Sequence, residues 1–143
     1  MMNQSNLNYD IYTFLLKFID SPKDLSNYCS LNTYFFNLCK DNKTFICKHF
    51  LHKYQVNYEN QNDFIFITNK VNQKDYLIND KWNYPSLFKL YMKHFYKEEI
   101  ECNNRGITSF PIYPNMKKFD GRNNQLTSFP IQPEMIDFNV IRT

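Results

Sequence analysis

Few side chains in this sequence could do chemistry, and their spacings are uneven. Cys47-x-His49-x-x-His52, with Cys39 upstream, comes nearest to a metal set, because ring nitrogens three residues apart on a helix can converge on zinc. The second cysteine has no matching register, however. The four cysteines (Cys29, Cys39, Cys47, Cys102) form no CxxC pair. They read as buried thiols acting as small hydrophobes in a reducing compartment. Glu98-Glu99 and Glu101 offer paired carboxylates, but beside a helix end, where a solvated cluster is the expected state. Gly106 and Gly121 build no phosphate loop, and neither GxSxG nor HExxH occurs. His49, His52 and His94 fall in helical stretches and read as satisfied or surface imidazoles. The expectation is therefore no catalytic residue, no metal, no cofactor and no enzyme.

The chain has 143 residues, room for one ordinary domain or two small modules with thin cores. Aromatics reach 18%, Ala is absent, and Asn, Lys, Ile, Tyr and Phe abound. That bias fits an AT-rich coding genome, with giant DNA viruses and some protists as candidates. The net charge of +3 is spread out, and Lys117-Lys118 is the only adjacent basic pair. A phosphate-tracking footprint would be stronger and clustered, so nucleic acid is not an expected partner. No apolar run approaches the ~20 residues that span a bilayer. The N-terminal MMNQSNLNYD lacks the charged and apolar regions of a signal peptide. An intracellular, cytoplasmic protein without a membrane partner is expected, in the host cytoplasm if the chain is viral.

The elements can be read from capping chemistry. Asn8 precedes a helical pattern of Ile11, Leu15, Leu16 and Ile19, with Asp10 in the first turn. Ser21-Pro22 reads as N-cap and first helical position, with Asp24 in the capping-box place. Asn32 and Asn42 each precede a further periodic run. Short helices with brief connections follow, an orthogonal packet ending near Tyr54. Residues 55–63 read as a loop, Phe64–Thr68 as a strand or a buried turn or helix piece, and 69–80 as irregular or helical. Asn83-Tyr84-Pro85 opens a helix whose Leu87, Phe88, Leu90, Tyr91 and Phe95 form an apolar stripe to about Lys97.

Residues 7–50 resemble the F-box. Leu7-Asn8-Tyr9-Asp10-Ile11 is similar to its Leu-Pro-x-Glu-Ile opening, and Asp20-Ser21-Pro22-Lys23-Asp24-Leu25 to its Asp-Pro-x-Asp-Leu turn with one extra residue. Leu15, Leu16 and Ile19 take the following apolar places. Phe35-Phe36-Asn37-Leu38-Cys39-Lys40-Asp41 with Phe45 resembles the closing part. Asn8 stands where the family has Pro, and Phe where it has Trp.

The tail carries an internal repeat. Ile107-Thr108-Ser109-Phe110-Pro111-Ile112 recurs as Leu126-Thr127-Ser128-Phe129-Pro130-Ile131, an offset of 19 residues from Phe110 to Phe129. Pro114 and Pro133, Met116 and Met135, and Phe119 and Phe138 share it. The pattern from Met116 to Pro130 resembles the leucine-rich repeat, with Asn124 at the turn and Gly121 where a core aliphatic belongs. In the first copy Asn104 falls one place early. Stacking at this offset aligns Glu99–Lys118–Asp137, Glu101–Asp120–Asn139 and Asn103–Arg122–Ile141 as lateral rows. The first row alternates in sign, and its neighbours should pair across a parallel sheet.

The expected fold class is mainly α: an orthogonal multi-helix F-box-like packet, then a helix-capped short leucine-rich-repeat α/β solenoid. The expected divisions are 1–54 for the helical module, 55–83 for an irregular connection, and 84–143 for a capping helix with about two and a half repeats. By resemblance, such a protein docks a Skp-type adaptor of a cullin–RING (SCF) ubiquitin ligase and presents a protein target through its repeats. The mechanism is tethering. The adaptor-facing candidates that the resemblance implies are Leu7, Asp10, Ile11, Leu15, Leu16, Ile19 and Leu25. The target-facing candidates are Lys118, Asp120, Arg122 and Asn139. Two alternatives stand beside this: an interaction or structural scaffold without adaptor binding, and a decoy that occupies the adaptor and recruits nothing.

Overall fold

The computed structural model describes residues 21–67 and 72–139. The chain divides into two compact units, Met1–Ile46 and Cys47–Thr143. In the first, α1 (Pro22–Cys29) starts where the Ser21 hydroxyl accepts from the Asp24 N–H at 3.2 Å, with Pro in the first turn, where its missing donor costs nothing. The second helix, α2 (Thr33–Asp41), starts where the Asn32 side chain accepts from the Phe35 N–H at 3.0 Å. Cys29 and Cys39 join the pair through a disulfide. The expectation of four reduced thiols is corrected there, because the short α1–α2 turn brings the two Cα atoms to 5.9 Å, within bridging range. Helix α3 (Lys43–Lys53) begins in this unit and continues into the second.

In the second unit α4 (Gln61–Ile67) follows a turn capped by Asn60. A 3₁₀ turn, Gln73–Tyr76, leads into a hairpin of β1 (Leu77–Ile78) and β2 (Lys81–Trp82). Its two central residues, Asn79 and Asp80, sit at φ 51° and 62°, the left-handed pair that a tight hairpin needs and that Asn and Asp tolerate. Helix α5 (Tyr84–Met92) is capped by Asn83, whose side chain accepts from the Ser86 N–H at 3.3 Å. Its buried face is Leu87, Leu90 and Tyr91, continued by Phe95 in the turns that follow. The remaining strands, β3 (Glu99–Glu101), β4 (Lys118–Asp120) and β5 (Asp137–Asn139), form one parallel sheet in the order β3-β4-β5.

The mainly-α packet with a helix-capped solenoid is not what forms. Among the described residues, five helices share the chain with a three-stranded parallel sheet and a two-stranded antiparallel one. The reason lies in the tail. Pro111, Pro114, Pro130 and Pro133 remove backbone donors from the return segments and forbid helix there. The connections between strands are accordingly turns and extended chain.

The aromatic content is spent on two stacks in the second unit. Tyr91 lies between Tyr54 (5.6 Å between centroids) and Tyr113 (4.7 Å), and its hydroxyl donates to the Ile112 carbonyl. Inside the repeat, Phe110 stacks on Phe129 at 5.6 Å and Phe119 on Phe138 at 5.8 Å. Gly121 is buried because the Phe119 ring fills its core place. A Cβ on Gly121 would sit 2.5 Å from that ring. Glycine there accommodates the larger neighbour.

Candidate functional site: the face and edges of the parallel sheet

Period-two alternation divides each strand. Ile100 and Phe119 point into the core, while Glu99, Glu101 and Lys118 stand exposed with Asp120 half-buried beside them. The register is Glu99↔Lys118↔Asp137 and Glu101↔Asp120↔Asn139, the two rows read from the 19-residue offset. The outward side chains line an open groove of about 430 Å³, formed by Glu99, Glu101, Lys118, Asp120, Asp137 and Asn139.

Ion pairs already engage part of this face. Lys118 lies 3.6 Å from Glu99, and Lys117 lies 3.2 Å from Glu98, both exposed pairs of small energetic weight. Arg122 Nε and Nη2 donate to the two Asp120 oxygens at 3.0 and 3.1 Å. Those hydrogen bonds hold the Asp120 carboxyl below its ordinary value, with a further contribution from Asn103. Asn103 also accepts the Arg122 N–H at 2.8 Å, so the third lateral row is tied at its first two members. Ile141 lies outside the described residues. Asp137, beside Lys118 in its row, makes no ion pair within 4.0 Å among the described residues.

The groove is held in shape by buried amides. The Asn124 carbonyl accepts from Arg105 and Ile107 N–H at 2.9 and 3.2 Å. Its amide donates to the carbonyls of Cys102 and Gly121 at 2.8 and 3.0 Å. Gln132 does the same across the return segments, accepting from the Tyr113 N–H at 2.8 Å and donating to the Pro111 carbonyl at 2.9 Å. Asn104 and Asn123 both sit at φ 59°. The early Asn of the first copy is thus the left-handed turn residue that corresponds to Asn123, and the place matching Asn124 is Arg105.

At the β3 end, the side chain of Asp63 on α4 closes the stack. It is buried, and its carboxylate accepts from the Thr108 N–H at 2.6 Å, the Ser109 N–H at 3.3 Å and the Ser109 hydroxyl at 2.8 Å. Asn57 donates to the same carboxylate at 3.0 Å. At the β5 end Ile131 and Ile136 are 91% and 76% exposed, and Phe138 is 46% exposed.

Of the adaptor-facing candidates, Leu7, Asp10, Ile11, Leu15, Leu16 and Ile19 lie outside the described residues, and Leu25 is half-buried in α1. Lys118, Asp120, Arg122 and Asn139 come together on the sheet face. The Cys39/Cys47/His49/His52 set does not assemble. Cys39 is bonded to Cys29, Cys47 is buried, and the His52 ring meets the Tyr58 hydroxyl at 3.3 Å. No group of three metal-binding side chains converges among the described residues. Burial, with Lys53 and His52 nearby, lowers the His49 pKa and so favours its neutral imidazole. Burial also pushes the Cys102 thiol up to about 12, far from a nucleophile's range. Asp63 was invisible in the sequence because its partners lie some 45 residues away.

No helix among the described residues is long and apolar enough to cross a membrane. No family model, no curated protein and no solved structure matches the chain.

Proposed function

We propose that this is a non-catalytic binding protein whose repeat segment takes a protein target. On the F-box resemblance of residues 7–50, it would do so as a receptor joined to a Skp-type adaptor of a cullin–RING ligase in the cytoplasm. The observation that carries the target-binding half is the in-register sheet face, where charged side chains line an open groove over a buried aromatic core. Buried Asn124 and Gln132 satisfy the backbone behind that face and hold it in shape. Two modules on one chain raise the effective concentration of target near adaptor with no chemistry in this protein.

The test is capture of a eukaryotic Skp-type adaptor by purified protein, beside a Leu15→Asp, Leu16→Asp double variant. Micromolar binding by the wild type, lost in a variant with an unchanged circular-dichroism spectrum, supports the adaptor half. Failure of the wild type to bind at micromolar concentration removes it.

The Cys29–Cys39 disulfide favours a second reading. Such bonds persist in oxidising surroundings, where the ligase machinery does not operate. An interaction scaffold without adaptor binding then fits better. Thiol quantification on protein isolated without reductant separates the two: a bonded pair in the native source favours the scaffold.

A further inference from the structure

The sheet has two unlike ends, and the difference identifies what the second one takes. Beyond β3 the stack is covered by Asp63, Tyr54 and Tyr91. Beyond β5 no strand follows among the described residues. Asp137 N–H donates to the Lys117 carbonyl at 3.0 Å and the Asn139 carbonyl accepts from Gly121 N–H at 2.8 Å, so these two residues face β4. By the alternation of a parallel ladder, the Phe138 N–H and carbonyl face the outer edge. The same rung exposes Ile131, Ile136 and Phe138, whereas the inner counterpart of Phe138, Phe119, is buried.

Building on the reading of the repeat segment as the target-binding half, we propose that the β5 edge binds an extended basic–apolar segment of a partner protein, added as a fourth parallel strand. The charge row selects the occupant. Glu99–Lys118–Asp137 alternates, Lys118 is drawn to Glu99 at 3.6 Å, and Asp137 ends the row without an ion pair among the described residues. The next strand therefore carries Lys or Arg beside Asp137, followed by an apolar residue that covers Phe138 as Phe138 covers Phe119. A second copy added head to tail would set its Glu99 against Asp137, placing like charges side by side, and its Glu101 against neutral Asn139. A two-fold pairing of β5 with β5 would put Asn139 opposite Asp137, again without a cation.

The probe is a synthetic peptide copying residues 116–124, which carries the Lys-Phe pair of β4, and its Lys118→Glu counterpart. Each is titrated into the ¹⁵N-labelled full chain and followed by heteronuclear NMR. The expected result is perturbation concentrated at residues 136–139, with binding on the order of five- to tenfold weaker for the Glu peptide. Asp137→Lys in the protein, an exposed change, should reverse that preference. No perturbation at millimolar peptide, or equal affinity for both peptides, overturns the proposal. Self-association seen by sedimentation, with the same amides shifted by protein concentration alone, assigns the edge to a second copy and also overturns it. Peptide failure beside intact adaptor capture removes only the edge assignment. Peptide binding beside failed capture leaves the edge and removes the ligase reading.

Discussion

One 19-residue unit meets opposite fates at the two ends of the sheet. At β3 the first rung is closed by elements from earlier in the chain: a buried carboxylate accepts the turn donors and aromatic rings cover the core. At β5 the same kind of rung leaves Ile131 and Ile136 in solvent. A parallel repeat cannot satisfy its own outer edge, so each end needs a partner of different origin. Among the described residues, one partner is built into the chain and the other is not.

The sharpest way to break the comparison is at the closed end. Asp63→Ala strips the acceptor from the Thr108 and Ser109 donors in a buried site and should cost roughly 3–5 kcal/mol. Asp63→Asn should recover part of this, and denaturant unfolding of both variants checks it. Next comes Gly121→Ala, which forces the Phe119 ring from its place and should cost about 1–3 kcal/mol, read as a lower thermal midpoint.

A pH scan gives a smaller effect, again from the covered side. Cys102 is raised from 9.0 to about 12 by burial, so the folded chain keeps a proton that the unfolded chain gives up. Stability from this group is full below pH ~9 and falls as pH rises from there towards ~12. His49 acts at the other limb: its lowered pKa means stability present above pH ~6.5 and declining below it. Denaturant midpoints across this range are the check, with Cys102→Ser weakening the alkaline limb, to which buried Tyr91 and Tyr113 also contribute above pH ~10. Smallest of all, Ile131→Ser and Ile136→Ser at the open end should change unfolding free energy by less than about 0.5 kcal/mol. Equal costs at both ends would dissolve the contrast.

What was legible in the sequence was local or periodic. Ser21, Asn32 and Asn83 cap helices as their spacing predicted, because a cap is decided within three residues. The lateral rows were legible because one offset fixes the register of a parallel sheet. The mainly-α reading failed where prolines in the return segments hold the connections to turns and extended chain. The β1–β2 hairpin was missed although Asn79-Asp80 carries its left-handed turn. Arg122 was read as facing a partner, and the sequence did not show that it also pairs with a carboxylate two residues away. The Cys29–Cys39 bond was beyond reach, since four cysteines leave the pairing open until helix ends bring two together. Asp63 and its distant hydroxyl partners carry no sequence signal at all.

The most direct measurement is amide hydrogen exchange along the repeat segment of the full chain. The account predicts strong protection at Ile107, Thr108 and Phe119, fast exchange at Phe138, and slowing at Phe138 when the Lys-Phe peptide is added. Protection of the Phe138 amide equal to that of Phe119 with no peptide present would mean that the edge is already covered, and would contradict it.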